Sequence, residues 1–253
     1  MMSGAPEVIA ATMLAAFVVG LAKGGLANAG VIAAPIMSLV MSPIAAAALL
    51  LPVYVLSDLV GVWLYWHIYS GRNLAILLPS AILGVVIGWV VAAGISDVVA
   101  NLIIGIVGCS FCAVQWWRDL NPPVPREPDL PRGVLLGVLT GLTSFLTHSG
   151  AATFQMYVMP QRLDKLTFAG TSAITFAVVN AAKIIPYWQL GQLTETGLHD
   201  AAFLVPVGIA GTFAGSWIAK RLPPAFFFGF IQLALLVVSV LQITESIAAV
   251  IGG

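Results

Sequence analysis

Long apolar runs, hardly interrupted by charge, are the feature that most constrains the fold of this chain. Several of them approach the roughly 20 residues that an α-helix needs to cross a bilayer. Of the 253 residues, 60% are hydrophobic and only 8% are charged, whereas soluble domains carry about 25% charged residues. The runs are continuous and do not alternate, which excludes a transmembrane β-barrel. The sequence therefore predicts an all-α polytopic membrane protein with about 8–10 membrane segments.

A polar, proline-rich stretch divides the chain into two halves with the same plan. The stretch RDLNPPVPREPDLPR predicts a linker over 118–131, between a first repeat over 1–117 and a second over 132–253. In each half an apolar run meets a polar break, and a short apolar run and three full spans follow. The motif P-x4-G-x3-G also recurs, as PSAILGVVIG (79–88) and PVGIAGTFAG (206–215). These features indicate an internal duplication.

The polar breaks read GLAKGGLANAG over 20–30 and THSG over 147–150. Glycine allows a helix to unwind, and unwound backbone is tolerated at membrane depth only where it lines a cavity or is buried in protein. Helix N-termini at such a break direct backbone amides towards an anion. Paired broken helices of this kind are typical of secondary transporters.

The positions of basic residues predict how the two repeats are oriented, because short cytoplasmic loops collect lysine and arginine. If the linker is cytoplasmic and each break is the tip of a hairpin that returns to its own side, every basic loop residue is cytoplasmic. These residues are Arg72, Arg118, Arg126, Arg132, Arg162, Lys165, Lys220 and Arg221. A parallel arrangement with four crossings in each repeat would place the last four outside. We therefore expect inverted repeats, each a broken helical hairpin plus three transmembrane helices, with both termini periplasmic.

The breaks and their neighbours supply the candidate substrate site. Lys23 brings a full positive charge, and His148 can donate to an oxyanion or exchange a proton. The alternatives are a lysine that snorkels to the interface, a histidine bonded within the bundle, and polar residues that only cap helices. The predicted substrate-binding residues are Lys23, Gly24, Gly25, Asn28, Thr147, His148, Ser149, Gly150, Gln155, Thr171 and Ser172.

Two further charges, Asp58 and Lys183, lie inside apolar runs, where charge is unfavourable and usually functional. Asp58 aligns between the repeats with Asn180, which stands one helical turn before Lys183. Two interpretations remain open at this stage. The three residues form either a structural ion pair between the repeats or a proton-coupling site at Asp58.

The sequence resembles the TauE/SafE family of sulfite and organosulfonate exporters, also called the toluene sulfonate uptake permease family. The resemblance rests on GLAKGGLANAG after the first helix, on GLTSFLTHSGAATFQMYVMP after the linker, and on the two-repeat plan. It covers nearly the whole chain. It implies movement of sulfite, sulfoacetate or a related sulfur-containing anion across a bacterial inner membrane, usually outward.

The motifs also separate the possible functions. The chain has no GxxxxGK[ST] motif and only three histidines, so we expect a carrier and not an enzyme, with no catalytic residues, metal or cofactor. Its partners should be a small anionic substrate and the lipid bilayer, with no nucleic acid, and a homodimer remains possible. An anion channel and a proton-coupled uptake permease for organic anions remain as alternatives.

Overall fold

The structure, a computed structural model, describes residues 6–92, 94–121 and 126–221, and individual helical positions between 233 and 249. The described residues form helices joined by turns, with no strand among them. The helices are α1 (Pro6–Lys23), α2 (Ala33–Ser38), α3 (Pro43–Tyr65), α4 (Gly71–Ala92), α5 (Asp97–Leu120), α6 (Leu130–Thr147), α7 (Gly150–Val158), α8 (Lys165–Gln189) and α9 (Glu195–Arg221). Short 3-10 helices cover Ala27–Ile32 and Met159–Gln161.

Six helices of the described part are long and apolar enough to cross a membrane: α1, α3, α4, α6, α8 and α9. The prediction of an all-α, multi-pass membrane protein is therefore confirmed. The last span expected from the sequence, over 223–243, lies mostly outside the described residues. The total of about 8–10 segments stays a prediction.

Short polar side chains fix where several helices begin. A side-chain oxygen of Ser42, Ser96, Asp129 and Asp164 accepts a hydrogen bond from a backbone N–H in the first turn of α3, α5, α6 and α8, respectively. Such caps satisfy amides that have no partner within the helix. The spans therefore start at defined residues.

Helices α1 and α9 pack backbone against backbone and run in the same direction. A Cβ atom at Gly20 would meet the backbone of Gly208, and one at Gly24 would meet the backbone of Gly215. Residue numbers increase in the same direction along both helices at these contacts, so the two helices are parallel. Glycines at such a contact allow helices in membranes to approach closely.

Helices α4 and α6 form a second interface of the same kind. Gly137 lies against Ser80, and Gly88 lies against Phe145. Residue numbers again increase in the same direction along both helices, so α4 and α6 are also parallel. This pair brings the third long helix of the first half against the first helix of the second half.

Helices α3 and α8 contact each other in opposite directions at the centre of the molecule. Gly170 near the start of α8 lies against Tyr65 at the end of α3, and Asn180 lies beside Asp58 further along. Helix α3 also runs parallel to α1, since Lys23 at the end of α1 contacts Gly61. The 3-10 helix and α2 must therefore return the chain to the side on which α1 began.

The second break makes the same return. The hydroxyl of Tyr157, at the end of α7, donates to the carbonyl of Asp129 at the start of α6, over 3.2 Å. Midway, the hydroxyls of Thr140 and Thr153 lie 3.0 Å apart. Helix α7 is thus antiparallel to α6, and the two helices form a hairpin whose tip is the break at His148.

Candidate functional site

A chain of buried polar side chains runs through the interior between α1, α3 and α8. The Lys23 ammonium lies 2.7 Å from Oδ1 of Asp58. Oδ2 of the same carboxylate accepts a 2.6 Å hydrogen bond from the amide of Asn180, and the carbonyl oxygen of Asn180 accepts a 2.8 Å bond from the Lys183 ammonium. No residue of this group is more than 8% exposed. The Asn180 amide is therefore oriented with its N–H towards the Asp58 carboxyl group and its oxygen towards the Lys183 side chain.

The chain continues from Lys183 to His148 at the second break. Nζ of Lys183 lies 3.0 Å from Nδ1 of His148, and Nε2 of the same ring lies 2.9 Å from the carbonyl oxygen of Ala47. A carbonyl only accepts, so Nε2 carries the hydrogen and donates it. Nδ1 of the neutral ring then accepts from the Lys183 ammonium. One connected series thus links Lys23 at the first break to His148 at the second.

The backbone at the second break holds His148 in an uncommon conformation. Its φ angle is +55°, in the left-handed region, which few residues other than glycine adopt and which often marks a functional site. The left-handed residue ends α6, and α7 begins two positions later at Gly150. This turn directs the imidazole towards α3, where it stacks on Tyr54 with the ring centroids 4.5 Å apart.

A small cavity of about 30 Å³ lies between the two breaks and is large enough for one or two water molecules. Its polar lining consists of Lys23, Tyr54, His148 and Ser172. The Lys23 ammonium also lies 5.0 Å from the ring centroids of Tyr54 and Phe176. Tyr54 is the middle residue of α3, which places the cavity near the midpoint of that span.

The buried charges at this site do not cancel. With Asp58 ionised, both lysines charged and His148 neutral, the group carries one net positive charge. Among the described residues, Lys23 has no carboxylate partner besides Asp58, and Lys183 has no direct carboxylate partner. An uncompensated buried charge is strongly unfavourable. A bound anion would supply the missing negative charge.

A wider cavity of about 320 Å³ lies at the opposite end of the bundle from the linker. Residues at the start of α3, in the connection between α8 and α9 and in the first turns of α9 line it, among them Ser42, Thr194 and Asp200. A smaller cavity shares Ile44 and Gln192 with it and reaches Ala47. The wide cavity thus leads towards the carbonyl that holds His148.

The comparisons with known proteins bear on the family of this helical bundle. The family model described as "Sulfite exporter TauE/SafE" matches residues 9–243. The chain belongs to the TauE/SafE sulfite exporter family. Neither the curated proteins nor the solved structures contain a match to the chain. Membership in TauE/SafE, a family of transporters, implies a small anionic substrate and a lipid environment for this multi-pass protein.

Three of the substrate-site residues predicted from the sequence meet at the cavity of this TauE/SafE member, namely Lys23, His148 and Ser172. The direct ion pair expected between Asp58 and Lys183 is absent. Asp58 pairs with Lys23, and Asn180 stands between Asp58 and Lys183. The physical reason is the antiparallel contact of α3 with α8, which sets Asp58 opposite Asn180 and one turn away from Lys183.

Several predicted polar residues make local bonds away from the cavity lining. The Thr147 hydroxyl donates to the carbonyl of Thr143, and the Ser149 hydroxyl donates to that of Thr147. The Thr171 hydroxyl accepts from the backbone N–H of Ser70 just before α4. These bonds hold the three hydroxyls within the bundle, and neither Thr147 nor Ser149 makes a side-chain cap at the start of α7.

The predicted glycines serve the packing of the breaks. Gly24 lies against the α9 backbone and its carbonyl accepts a 2.7 Å hydrogen bond from the Tyr65 hydroxyl. Gly25 has φ = +115°, a conformation that favours glycine. Gly150 lies against the carbonyl of Thr140.

Two further predicted site residues are Gln155 and Asn28. Gln155, on α7, is fully buried, and neither atom of its amide has a hydrogen-bond partner in the described part of the chain. Asn28 belongs to the 3-10 helix of the first break, and its side chain lies outside the described residues. Across the same described residues, no group of three or more histidine, cysteine, aspartate or glutamate side chains could hold a metal ion.

Sequence reasoning missed the aromatic residues of the site. Tyr54 and Phe176 complete the cavity around Lys23, and the Tyr54 hydroxyl is buried without a hydrogen-bond partner among the described residues. Helical spacing offered a signal, because Tyr54 stands one turn before Asp58 and Phe176 one turn before Asn180. Each aromatic residue therefore shares a helix face with a polar residue of the site.

Proposed function

We propose that this TauE/SafE member is a secondary carrier that exports sulfite, sulfoacetate or a related organosulfonate by alternating access. The observation that carries this proposal is the presence of two buried lysines and a single buried carboxylate beside a cavity between the two helix breaks. Lys23 supplies the charged contact, and Tyr54 and Ser172 supply neutral hydroxyl groups for the oxygens. A sulfonate or sulfite headgroup offers several oxygens and negative charge, which is the complement of this set.

The N-terminus of α7 adds to the attraction for an anion. Ala151, in the first turn of this nine-residue helix, lines the cavity. No side chain caps the start of the helix at Ser149. Free amides and the positive end of the helix dipole therefore lie close to the cavity, as at other anion sites. The second break thus contributes backbone donors, and its His148 ring forms part of the cavity lining.

The helix contacts support two inverted repeats, over 1–117 and 132–253. Helices α1 and α3 run opposite to their counterparts α6 and α8, and α4 runs opposite to its counterpart α9. The pairing of α1 with α9 is repeated by that of α6 with α4, as a two-fold axis in the membrane plane would require. The α3–α8 contact lies on that axis, beside the proposed site.

The cavity sizes support alternating access. The cavity at Lys23, of about 30 Å³, has room for one or two water molecules, so we expect the helices around it to separate when a sulfur oxyanion binds. The 320 Å³ cavity opens at only one end of the bundle. A carrier that opens one side at a time passes through a constricted state of this kind.

The distribution of charge supports an inner-membrane orientation with a cytoplasmic linker and periplasmic termini. Arg72 forms a 3.7 Å ion pair with Glu127 of the linker, and the Arg126 backbone N–H donates to the carbonyl of Pro160. The basic loops of both halves therefore meet at the linker end, as the positive-inside rule requires. In a cell that is negative inside, each exported negative charge gains about 2.3 kcal/mol per 100 mV.

The test is the stability of purified protein in detergent with added sulfite, sulfoacetate, taurine or sulfate. A ligand at about 100 times its dissociation constant should add about 2.7 kcal/mol of stability. We expect at least one sulfur anion to stabilise the wild type and the control Lys165→Met, whose lysine is exposed, but not Lys23→Met. The double variant Lys23→Met/Asp58→Asn removes both partners of the buried ion pair. It replaces Lys23→Met in the test if that single variant does not fold. Equal stabilisation of wild type and both Lys23 variants would contradict the proposed site.

A further inference from the structure

We propose that the charge of the bound anion decides whether a proton binds with it: a monoanion binds alone, whereas a dianion binds together with one proton on Asp58. The inference rests on the anion site proposed above and adds a second ligand to it. It makes the protein a carrier whose proton stoichiometry depends on the substrate. The argument follows from the buried charges and from their shared contacts.

The first step is the charge balance. In this proposal Lys23 and Lys183 are charged ammonium groups and Asp58 is an ionised carboxylate, states that their contacts accommodate, and the three residues together carry one net positive charge. A bound monoanion brings the sum to zero. A bound dianion leaves one negative charge in excess, and a buried charge without a partner is strongly unfavourable. A proton restores neutrality.

The second step is the place of the proton. Lys23 lines the cavity and also holds Oδ1 of Asp58 at 2.7 Å, so the incoming anion and Asp58 compete for one ammonium. When the anion takes that ammonium, the carboxylate loses its only direct ion-pair partner among the described residues. Asp58 is therefore the group that the dianion affects most. A proton on Asp58 then takes the place of the Lys23 ammonium, which now contacts the anion.

The other groups that face Asp58 are less suited to accept the proton. Lys23 from α1 is already charged, and so is Lys183, which reaches Asp58 from α8 through Asn180. Tyr54 on α3 presents a neutral hydroxyl. His148, between α6 and α7, uses Nδ1 to accept from Lys183 at 3.0 Å, so a proton there would break this bond and set two cations side by side. Asp58 alone gains neutrality without creating a like-charge contact.

The experiment is isothermal titration of purified wild-type protein with methanesulfonate, a permanent monoanion, and with sulfate, a dianion at neutral pH. Each titration is repeated in two buffers of different ionisation enthalpy, so that the difference in heat gives the number of protons exchanged. We expect no proton uptake with methanesulfonate and about one proton with each sulfate. Asp58→Asn, which is neutral at every pH, should bind sulfate without proton uptake.

Each outcome decides the proposal. Sulfate binding to wild type without proton uptake, or equal uptake with both anions, would overturn it, as would failure of sulfate to bind where methanesulfonate binds. Proton uptake that persists in Asp58→Asn would assign the proton to another group such as His148. The wild-type comparison alone decides the stoichiometry if Asp58→Asn does not fold. If neither these two anions nor sulfite binds, the anion site itself fails, and this result is distinct from binding without a proton.

Discussion

Replacing Asp58 with asparagine should destabilise the protein strongly, because it leaves two buried lysines without an anion. Its carboxylate and the Lys23 ammonium are 2.7 Å apart, with side chains 2% and 7% exposed. At that distance their attraction is about 6 kcal/mol for an effective dielectric constant near 20. Loss of one partner of a buried pair typically costs about 3–5 kcal/mol. We expect a loss of this size for Asp58→Asn in the absence of sulfur anions.

The measurement is the free energy of unfolding by SDS titration in mixed micelles. The double variant Lys23→Met/Asp58→Asn removes both charges and should recover to within about 1 kcal/mol of the wild type, since a buried pair is often nearly neutral relative to apolar residues. The exposed Asp119→Asn control should change stability by less than about 0.5 kcal/mol. A loss below about 1 kcal/mol for Asp58→Asn would refute the reasoning, and so would a double variant whose loss equals the sum of the single losses.

Three further predictions test the packing, the cavity and the orientation. In the same titration, Gly141→Ala should lower the free energy of unfolding by about 1–3 kcal/mol, because its Cβ would meet the α4 backbone. The control Gly71→Ala should cause no such loss, because a Cβ there would point into open space. Equal losses in the two variants would argue against the α4–α6 interface. Tyr54→Phe should keep or raise the stability of the protein but weaken sulfur-anion binding about tenfold, because the anion loses one hydrogen bond. Reduced stability with unchanged affinity would instead indicate that the Tyr54 hydroxyl has a structural partner. With both native cysteines replaced by serine, Thr194→Cys should react with an impermeant thiol reagent on intact cells and Arg126→Cys only after permeabilisation; the reverse pattern would contradict the orientation.

The helices could be predicted well from the sequence because their limits are set locally. The apolar runs of the sequence predict spans over 165–188 and 43–66, and the structure has α8 at Lys165–Gln189 and α3 at Pro43–Tyr65. Continuous apolar runs define the lengths, and Asp164 and Ser42 cap the starts. Each helix boundary depends on residues within one turn of it, so no long-range information was needed.

The contacts between helices could not be predicted in the same way. Lys23 and Asp58 were each conspicuous as a charge in an apolar run, but their pairing depends on the register of α1 against α3. Tight packing of glycines against backbone sets that register, as at Gly61 beside Lys23, and no sequence period records it. The left-handed turn at His148 was equally hidden, because a histidine carries no signal for positive φ. The site thus arises from packing, whereas its residue types were visible in advance.

The most direct test of the central claim is transport of radiolabelled sulfite in proteoliposomes, driven by a potassium-diffusion potential set with valinomycin. The account predicts a flux that saturates with sulfite concentration, reverses with the sign of the potential, and is lost in Lys23→Met/Asp58→Asn while Lys165→Met retains it. A flux that rises linearly without saturation would indicate a channel. A flux unchanged by loss of the Lys23 ammonium would contradict the anion site at the helix breaks.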